Sequence, residues 1–247
     1  MTDLTKLNVK IFADGADLDG IKALYGDPLI KGFTTNPTLM HAAGITDYKK
    51  FALELLAAIS DRPVSFEVFA DDFDGMIAQG LEIGSWAPNV NVKIPVTDTS
   101  GNFTGDVISA LSRAGVHVNV TAVFTLAQVA DILEALDNSV PAYISIFAGR
   151  IADTGEDPLP VMKEAVSLIK HLPKTELIWA SPRELLNVFH AEQVGCQIIT
   201  VTHDILKKLP GVGKDLAEFS LQTVRMFHDD AQAAGFSIPV AARQVAE

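Results

Sequence analysis

Eight short apolar runs recur along this chain, and nearly every pair is separated by a segment of helical period. The runs are Leu7–Ala13, Gly32–Thr34, Val64–Val68, Val90–Ile94, His117–Val120, Ala142–Ile146, Glu176–Trp179 and Ile198–Val201. The helical stretches include Tyr48–Ile59, Phe73–Gly84, Gly105–Ser112, Leu126–Leu136, Pro158–Lys170, Arg183–Glu192 and His203–Leu209. Strands separated by helices cannot pair as hairpins. Each connection must cross over, which makes the pairing parallel and the crossovers right-handed. Eight such units of about 25 residues close into a barrel. The spacing therefore predicts an α/β fold, a single (β/α)8 barrel domain over residues 1–247. An open doubly wound sheet is the alternative, but it would need a glycine-rich phosphate turn after an early strand. The chain has neither GxGxxG nor GxxxxGK[ST]. Leu216–Ala234 reads as one long amphipathic helix, surplus to eight units. Residues 211–247 are thus expected to form a C-terminal helical extension that caps the barrel or, preferably, docks on a neighbouring subunit of a homo-oligomer.

Charge narrows the partners. The chain has 19 Lys and Arg against 31 Asp and Glu, a net charge of −12. That balance repels phosphate backbones and argues against nucleic acid. A single cysteine, Cys196, cannot form an internal disulfide and fits a reducing compartment. The first ten residues have no apolar signal core, and no stretch approaches the ~20 apolar residues of a membrane span. A soluble cytoplasmic protein with no membrane role is expected.

The polar faces of the strands are more informative. Period two puts Val90, Val92 and Ile94 on one face, Asn91 and Lys93 on the other. Ser65 and Glu67 lie opposite Phe66 and Val68. His117, Asn119 and Thr121 lie opposite Val118 and Val120, and Ser145 opposite Ile144 and Ile146. In a barrel wrapped by helices the apolar faces point outward. Lys93, Glu67, Asn119 and Ser145 then point inward near the strands' C-terminal ends, where this fold places its catalytic groups. Asp14 follows strand one, Thr34, Thr35 and Asn36 follow strand two, Arg150 follows strand six, and Ser181 and Arg183 follow strand seven. No His pair or Cys/His cluster has metal-ligand spacing, so neither a metal nor a cofactor is expected.

Each residue also has a plainer reading. Lys93 could reach for solvent, and Glu67 could merely pair with it. Asp14 could cap the next helix, and Thr34–Pro37 could be a simple turn. Ser181-Pro182 could be a helix cap with a first-turn proline, and Arg150 and Arg183 could pair with surface acids. All of these holding at one end of eight strands is much harder to accept than any one.

A lysine inside such a mouth suggests a Schiff base with a carbonyl substrate, because burial favours the neutral amine that attacks. The iminium is an electron sink that permits carbon–carbon cleavage, and a carboxylate can take the proton from the neighbouring hydroxyl. Two Arg match a phosphate recognised bidentately. The composite is metal-free aldol chemistry on a sugar phosphate.

The motifs carry a resemblance. Gly32-Phe33-Thr34-Thr35-Asn36-Pro37-Thr38, Val64–Val68, Val92-Lys93-Ile94-Pro95-Val96-Thr97, Asn119–Thr125, Ser145–Ile151 and Ala180-Ser181-Pro182-Arg183 resemble the transaldolase family in its order. The likeness is to its short members, which include the fructose-6-phosphate aldolases. It implies a class I mechanism in which Lys93 forms the Schiff base and Asp14 is the acid/base on the C4 hydroxyl. Glu67 and Thr121 would hold a catalytic water. Thr34, Asn36, Asn119, Ser145 and Phe147 would line the substrate, and Arg150, Ser181 and Arg183 would clamp its phosphate. A dihydroxyacetone unit would then pass from a ketose phosphate, sedoheptulose 7-phosphate or fructose 6-phosphate, to an aldose phosphate, as in the pentose phosphate pathway. The alternative is a fructose-6-phosphate or related dihydroxyacetone aldolase, whose branch carries Gln in place of Glu67 and Tyr in place of Phe147. Both positions favour transfer. Ile146 stands where many members have proline, and Pro182 separates Ser181 from Arg183, so a sulfonate or a shorter sugar phosphate stays open. A silent sugar-phosphate-binding subunit would need an incomplete ring, and a metal-dependent aldolase would need ligands that are missing.

Overall fold

In the computed structural model, which describes residues 4–240, eight parallel strands close into a barrel in sequence order. They are β1 (Lys10–Asp14), β2 (Ile30–Thr34), β3 (Val64–Glu67), β4 (Val90–Pro95), β5 (Val118–Val123), β6 (Ala142–Ile146), β7 (Thr175–Trp179) and β8 (Ile198–Thr202). The helices up to Leu206 are α1 (Leu18–Tyr25), α2 (Pro37–Ala42), α3 (Tyr48–Ala58), α4 (Phe73–Gly84), α5 (Gly105–Arg113), α6 (Leu126–Ala135), α7 (Ala148–Asp153), α8 (Leu159–Ile169), α9 (Leu186–Val194) and α10 (His203–Leu206). The expected (β/α)8 fold is the observed one.

The alternation in the strands explains the closure. Val64, Phe66, Val92, Ile94, Val118, Val120, Ile144, Leu177, Trp179, Ile199 and Val201 are all fully buried, in the layer between strands and helices. Each such side chain contributes roughly 1.5–3 kcal/mol relative to an exposed one, which fixes the register: a slip by one residue would turn the whole set inward. Inside the barrel a smaller apolar cluster, Phe12, Ile178, Ala180 and Ile198 with Tyr143 and Phe147 packed against it, fills the interior away from the helices. Phe12 and Tyr143 meet edge to face at 6.1 Å. Gly32 leaves room for this, since a Cβ there would overlap the Phe12 ring.

Several boundaries differ from the sequence reading for identifiable reasons. The first strand starts at Lys10 rather than Leu7, because the Glu192 carboxylate takes the backbone N–H groups of Asn8 and Val9. The fifth runs to Val123, past the expected end at Val120, through a left-handed Ala122 at φ 59°. Helix α9 begins at Leu186 rather than Arg183, since the Asn187 side chain accepts from the N–H groups of both Arg183 and Glu184. Helices α1, α2 and α7 are additional to those read from periodicity. Part of the acidic excess is structural: Asp17, Asp47 and Asp72 cap α1, α3 and α4 through side-chain hydrogen bonds to backbone N–H groups.

The chain divides into two compact units at Leu209/Pro210. In the second, α11 (Leu216–Ala233) is capped by Asp215, which accepts from the N–H groups of Ala217 and Glu218. It carries Phe219, Val224, Met226 and Phe227, each at least half exposed. Among the described residues no helix is long and apolar enough to cross a membrane.

Candidate active site

Register brings the polar strand ends together. Glu67 on β3 pairs with Lys93 on β4, Lys93 with Asn119 on β5, and Asp14 on β1 with both Thr34 on β2 and Thr202 on β8. Lys93 is 7% exposed, and its ammonium donates to the Thr35 carbonyl at 2.8 Å. Among the described residues it forms no ion pair, and Glu67 interacts with it only at longer range.

Glu67 is held by its backbone. Tyr48 accepts from the Glu67 N–H at 2.7 Å and donates to its carbonyl at 3.0 Å, and the phenol packs with Phe66, Phe69 and Trp86. Burial raises the Glu67 carboxyl above the usual range; Lys93 works against that rise and Asp14 adds to it. Asp14 keeps part of its surface open, yet burial raises it as well, opposed by Lys93, by the hydrogen bond from Thr34 and by His203. Thr34 donates to Asp14 Oδ1 at 2.7 Å, and the Asn36 amide lies 3.5 Å from Oδ2. Asp14 caps no helix; Asp17 does that for α1. Asn36 does two things: its Oδ1 caps α2, where Pro37 takes the first position, and its amide faces Asp14.

A buried relay crosses the barrel. Ser145 donates to Asn119 Oδ1 at 2.7 Å, and the Asn119 amide donates to Ser65 Oγ at 3.1 Å. Ser65 is legible in the sequence on the inward face with Glu67 but not as a partner of Asn119. Thr121, 4% exposed, precedes the left-handed Ala122, and the β5–β6 register breaks between Val120 and Val123.

The loops after β6 and β7 bring the cations. Arg150 lies in α7, its guanidinium 5.3 Å from the centre of the Phe147 ring, which in turn packs on Phe124. Arg183 is forked onto Asp153 through Nε and Nη2 and reaches Ser181 Oγ with Nη1 at 3.0 Å. Its pairing with an acid is therefore real, but the acid belongs to α7, at the same mouth as Arg150. Ser181 has φ 59°, in the left-handed region that non-glycine residues avoid, and it caps no helix. Gly149 permits this bend, because a Cβ there would overlap the Ser181 carbonyl. All twelve residues expected at the site lie on the strands or on the turns and short helices that follow them, Lys93 and Asn119 within β4 and β5 rather than at their ends. Among the described residues no group of three His, Cys, Asp or Glu could hold a metal.

One buried amine, two carboxyls that keep their protons longer than usual and a set of directed hydroxyls and amides can together move protons at a bound carbonyl compound. The profile of a family described as transaldolase/fructose-6-phosphate aldolase matches residues 11–238. A relative from Dehalococcoides mccartyi named "Probable transaldolase" is 37% identical over 202 residues, covering 81% of this chain and 90% of its own. Another of the same name, from Methanococcus maripaludis, is 33% identical over 225 residues, covering 88% of this chain and 100% of its own. Among solved structures, a 2,3-dimethylmalate lyase of the PEP mutase/isocitrate lyase superfamily superposes with a TM-score of 0.51 at 13% identity. The superposition covers 98% of this chain and 89% of that one, a likeness of fold alone.

Proposed function

This chain belongs to the transaldolase/fructose-6-phosphate aldolase family, and from that membership we propose that it moves a dihydroxyacetone unit from a ketose phosphate to an aldose phosphate through a Schiff base on Lys93. The observation that carries this reading is Lys93 itself: a buried amine at the barrel mouth, without an ion pair among the described residues, in the field of two carboxyls.

The Lys93 amine adds to the ketose carbonyl. The resulting carbinolamine loses water to give the iminium, with Glu67 and Thr121 holding the water that carries protons to and from that centre. Asp14 then accepts the proton of the C4 hydroxyl, the C3–C4 bond breaks, and the aldose leaves while the electron pair rests in an enamine on Lys93. Thr34, Asn36, Asn119 and Ser145 orient the hydroxyls. Arg150, Ser181 and Arg183 hold the anionic end. Phe147 supplies no proton, so the enamine persists until an aldehyde adds and reverses the steps. Sedoheptulose 7-phosphate and fructose 6-phosphate are the donors this reading favours, which puts the protein in cytoplasmic carbohydrate metabolism of the pentose phosphate type. Residues 1–247 act as one barrel domain with an extension at 211–247 whose exposed apolar side chains dock on a second copy.

Reduction with borohydride in the presence of fructose 6-phosphate, without acceptor, tests it. The expected result is a three-carbon adduct on the peptide carrying Lys93. An adduct on another lysine, or none with any ketose phosphate, overturns the reading. Steady release of dihydroxyacetone without acceptor would instead identify an aldolase.

A further inference from the structure

Strand β8 adds nothing to the site as read from the sequence, yet its own alternation sets Thr200 and Thr202 on one face, opposite Ile199 and Val201. Thr200 pairs in register with Phe12, two residues before Asp14, and is buried. Its hydroxyl meets that of Thr34, the hydroxyl that also contacts Asp14 Oδ1.

Proton counting fixes the direction of this chain. A threonine hydroxyl has one proton to give and can accept as well. An ionised Asp14 has none to give, so the Thr34 proton goes to Asp14 and the contact between the two hydroxyls must be donated by Thr200. When Asp14 is protonated its own proton can go to Thr34, and Thr34 then donates to Thr200. The pair must therefore point toward Asp14 while the carboxylate is charged and is free to reverse once it is protonated.

We propose that Thr200 is a positioning residue for Asp14, one that holds the Thr34 hydroxyl aimed at the carboxylate in the form that accepts a proton from substrate. This deepens the proposed function and rests on its assignment of Asp14. The three groups stand on adjacent strands, β8, β1 and β2, so their spacing is set by the sheet ladder rather than by a loop. Around Asp14, Lys93 from β4 and His203 from α10 favour the charged form and Glu67 from β3 opposes it. His203 is itself beside Asp17, Asp204 and Lys207. With burial outweighing the favourable charges, the hydrogen bond at Oδ1 is a main local support for the anion, since the contact at Oδ2 is long.

The test is the titration of Asp14 in the intact protein, followed by 13C NMR of labelled aspartate carboxyls and assigned by the signal lost in Asp14→Asn. Thr200→Val keeps the shape and removes the donor. It should raise the Asp14 midpoint by about half to one pH unit, the size of one modest hydrogen bond, while Thr200→Ser restores it. The acid limb of kcat should move the same way, with KM unchanged. An unmoved midpoint in Thr200→Val, or an equal rise in Thr200→Ser, overturns the proposal. Should the valine variant fail to fold, Thr200→Ala removes the same donor without adding a methyl contact and is read identically. Because the titration needs no substrate, a moved midpoint in a protein that forms no Lys93 adduct overturns the proposed activity instead, and an adduct with an unmoved midpoint overturns only the role of Thr200.

Discussion

Asp14 stands on a strand, bonded to Thr34 on one neighbouring strand and through it to Thr200 on the strand that flanks it on the other side. Arg183 lies in a loop, its side chain 44% exposed and forked onto Asp153 of a six-residue helix. The proton-handling side of the mouth is thus fixed by a ladder of backbone hydrogen bonds, while the cationic side is fixed by side chains bonding one another. The backbone differs too. The cationic side includes Ser181 at φ 59° and the overlap-free approach at Gly149, a bend that costs of order 1–3 kcal/mol and that the surrounding contacts must offset. Strands hold the groups whose positions must be tightly set for proton transfer. Loops hold the groups that meet whatever the substrate carries at its far end, and those can be rebuilt without disturbing the barrel.

Lys93→Met should break the first side outright. An unbranched apolar side chain fills the same space, so the fold stays intact by circular dichroism and thermal melt. Three-carbon transfer should drop below detection, because among the described residues Lys93 is the only buried lysine. A Lys93→Met protein that still transfers would remove the mechanism while leaving the fold unaffected.

Changes on the cationic side should be milder and of another kind. Among the described residues Arg150 forms no ion pair, so its charge is available to a ligand. Arg150→Gln should raise KM for phosphorylated donors about 10–100-fold, equivalent to losing one charged hydrogen bond of ~1.5–3 kcal/mol, with kcat little changed. An equal loss in kcat and kcat/KM would place Arg150 at the reacting carbons and dissolve the division between the two sides. Phe147→Tyr lies where the sides meet. A phenol there should raise acceptor-free release of dihydroxyacetone several-fold, measured with a coupled assay. No change would mean that this position does not set the balance between transfer and release.

The same contrast decides what is legible in the amino-acid sequence. β3, β4 and the first four residues of β5 obey period two, and Glu67, Lys93 and Asn119 follow from that alone. β8 obeys it as well; Thr200 is legible there, but its value appears only when Thr34 is placed beside it. The cationic side is harder to read. Helix α7 is only six residues long, with no side-chain hydrogen bond at its N-terminal cap, so periodicity has no length to act on. The Asp153–Arg183 fork spans thirty positions and follows from the left-handed turn at Ser181, which a serine before a proline does not announce. The extension of β5 depends on a left-handed Ala122, a conformation that local preference disfavours and tertiary packing imposes.

Glu67 offers the smallest and sharpest test, because two opposing effects meet on it. Burial raises its carboxyl and Lys93 lowers it, and the net direction is upward. A carboxyl that holds its proton more tightly folded than unfolded costs stability wherever it must ionise. Stability conferred at low pH is lost as pH climbs from the ordinary carboxylate range through the folded titration, and the whole cost is present above it. Glu67→Gln removes the ionisation and keeps the shape. It should raise Tm at pH 7 by about 2–4 °C, the response of a chain this size to ~1 kcal/mol, and the gain should vanish near pH 4, where glutamate is largely protonated in both states. If Glu67→Gln is instead less stable at pH 7, attraction to Lys93 outweighs burial. Glu67 would then be chiefly the lysine's counter-charge, and proton handling on the strand side of the mouth would rest on Asp14 alone.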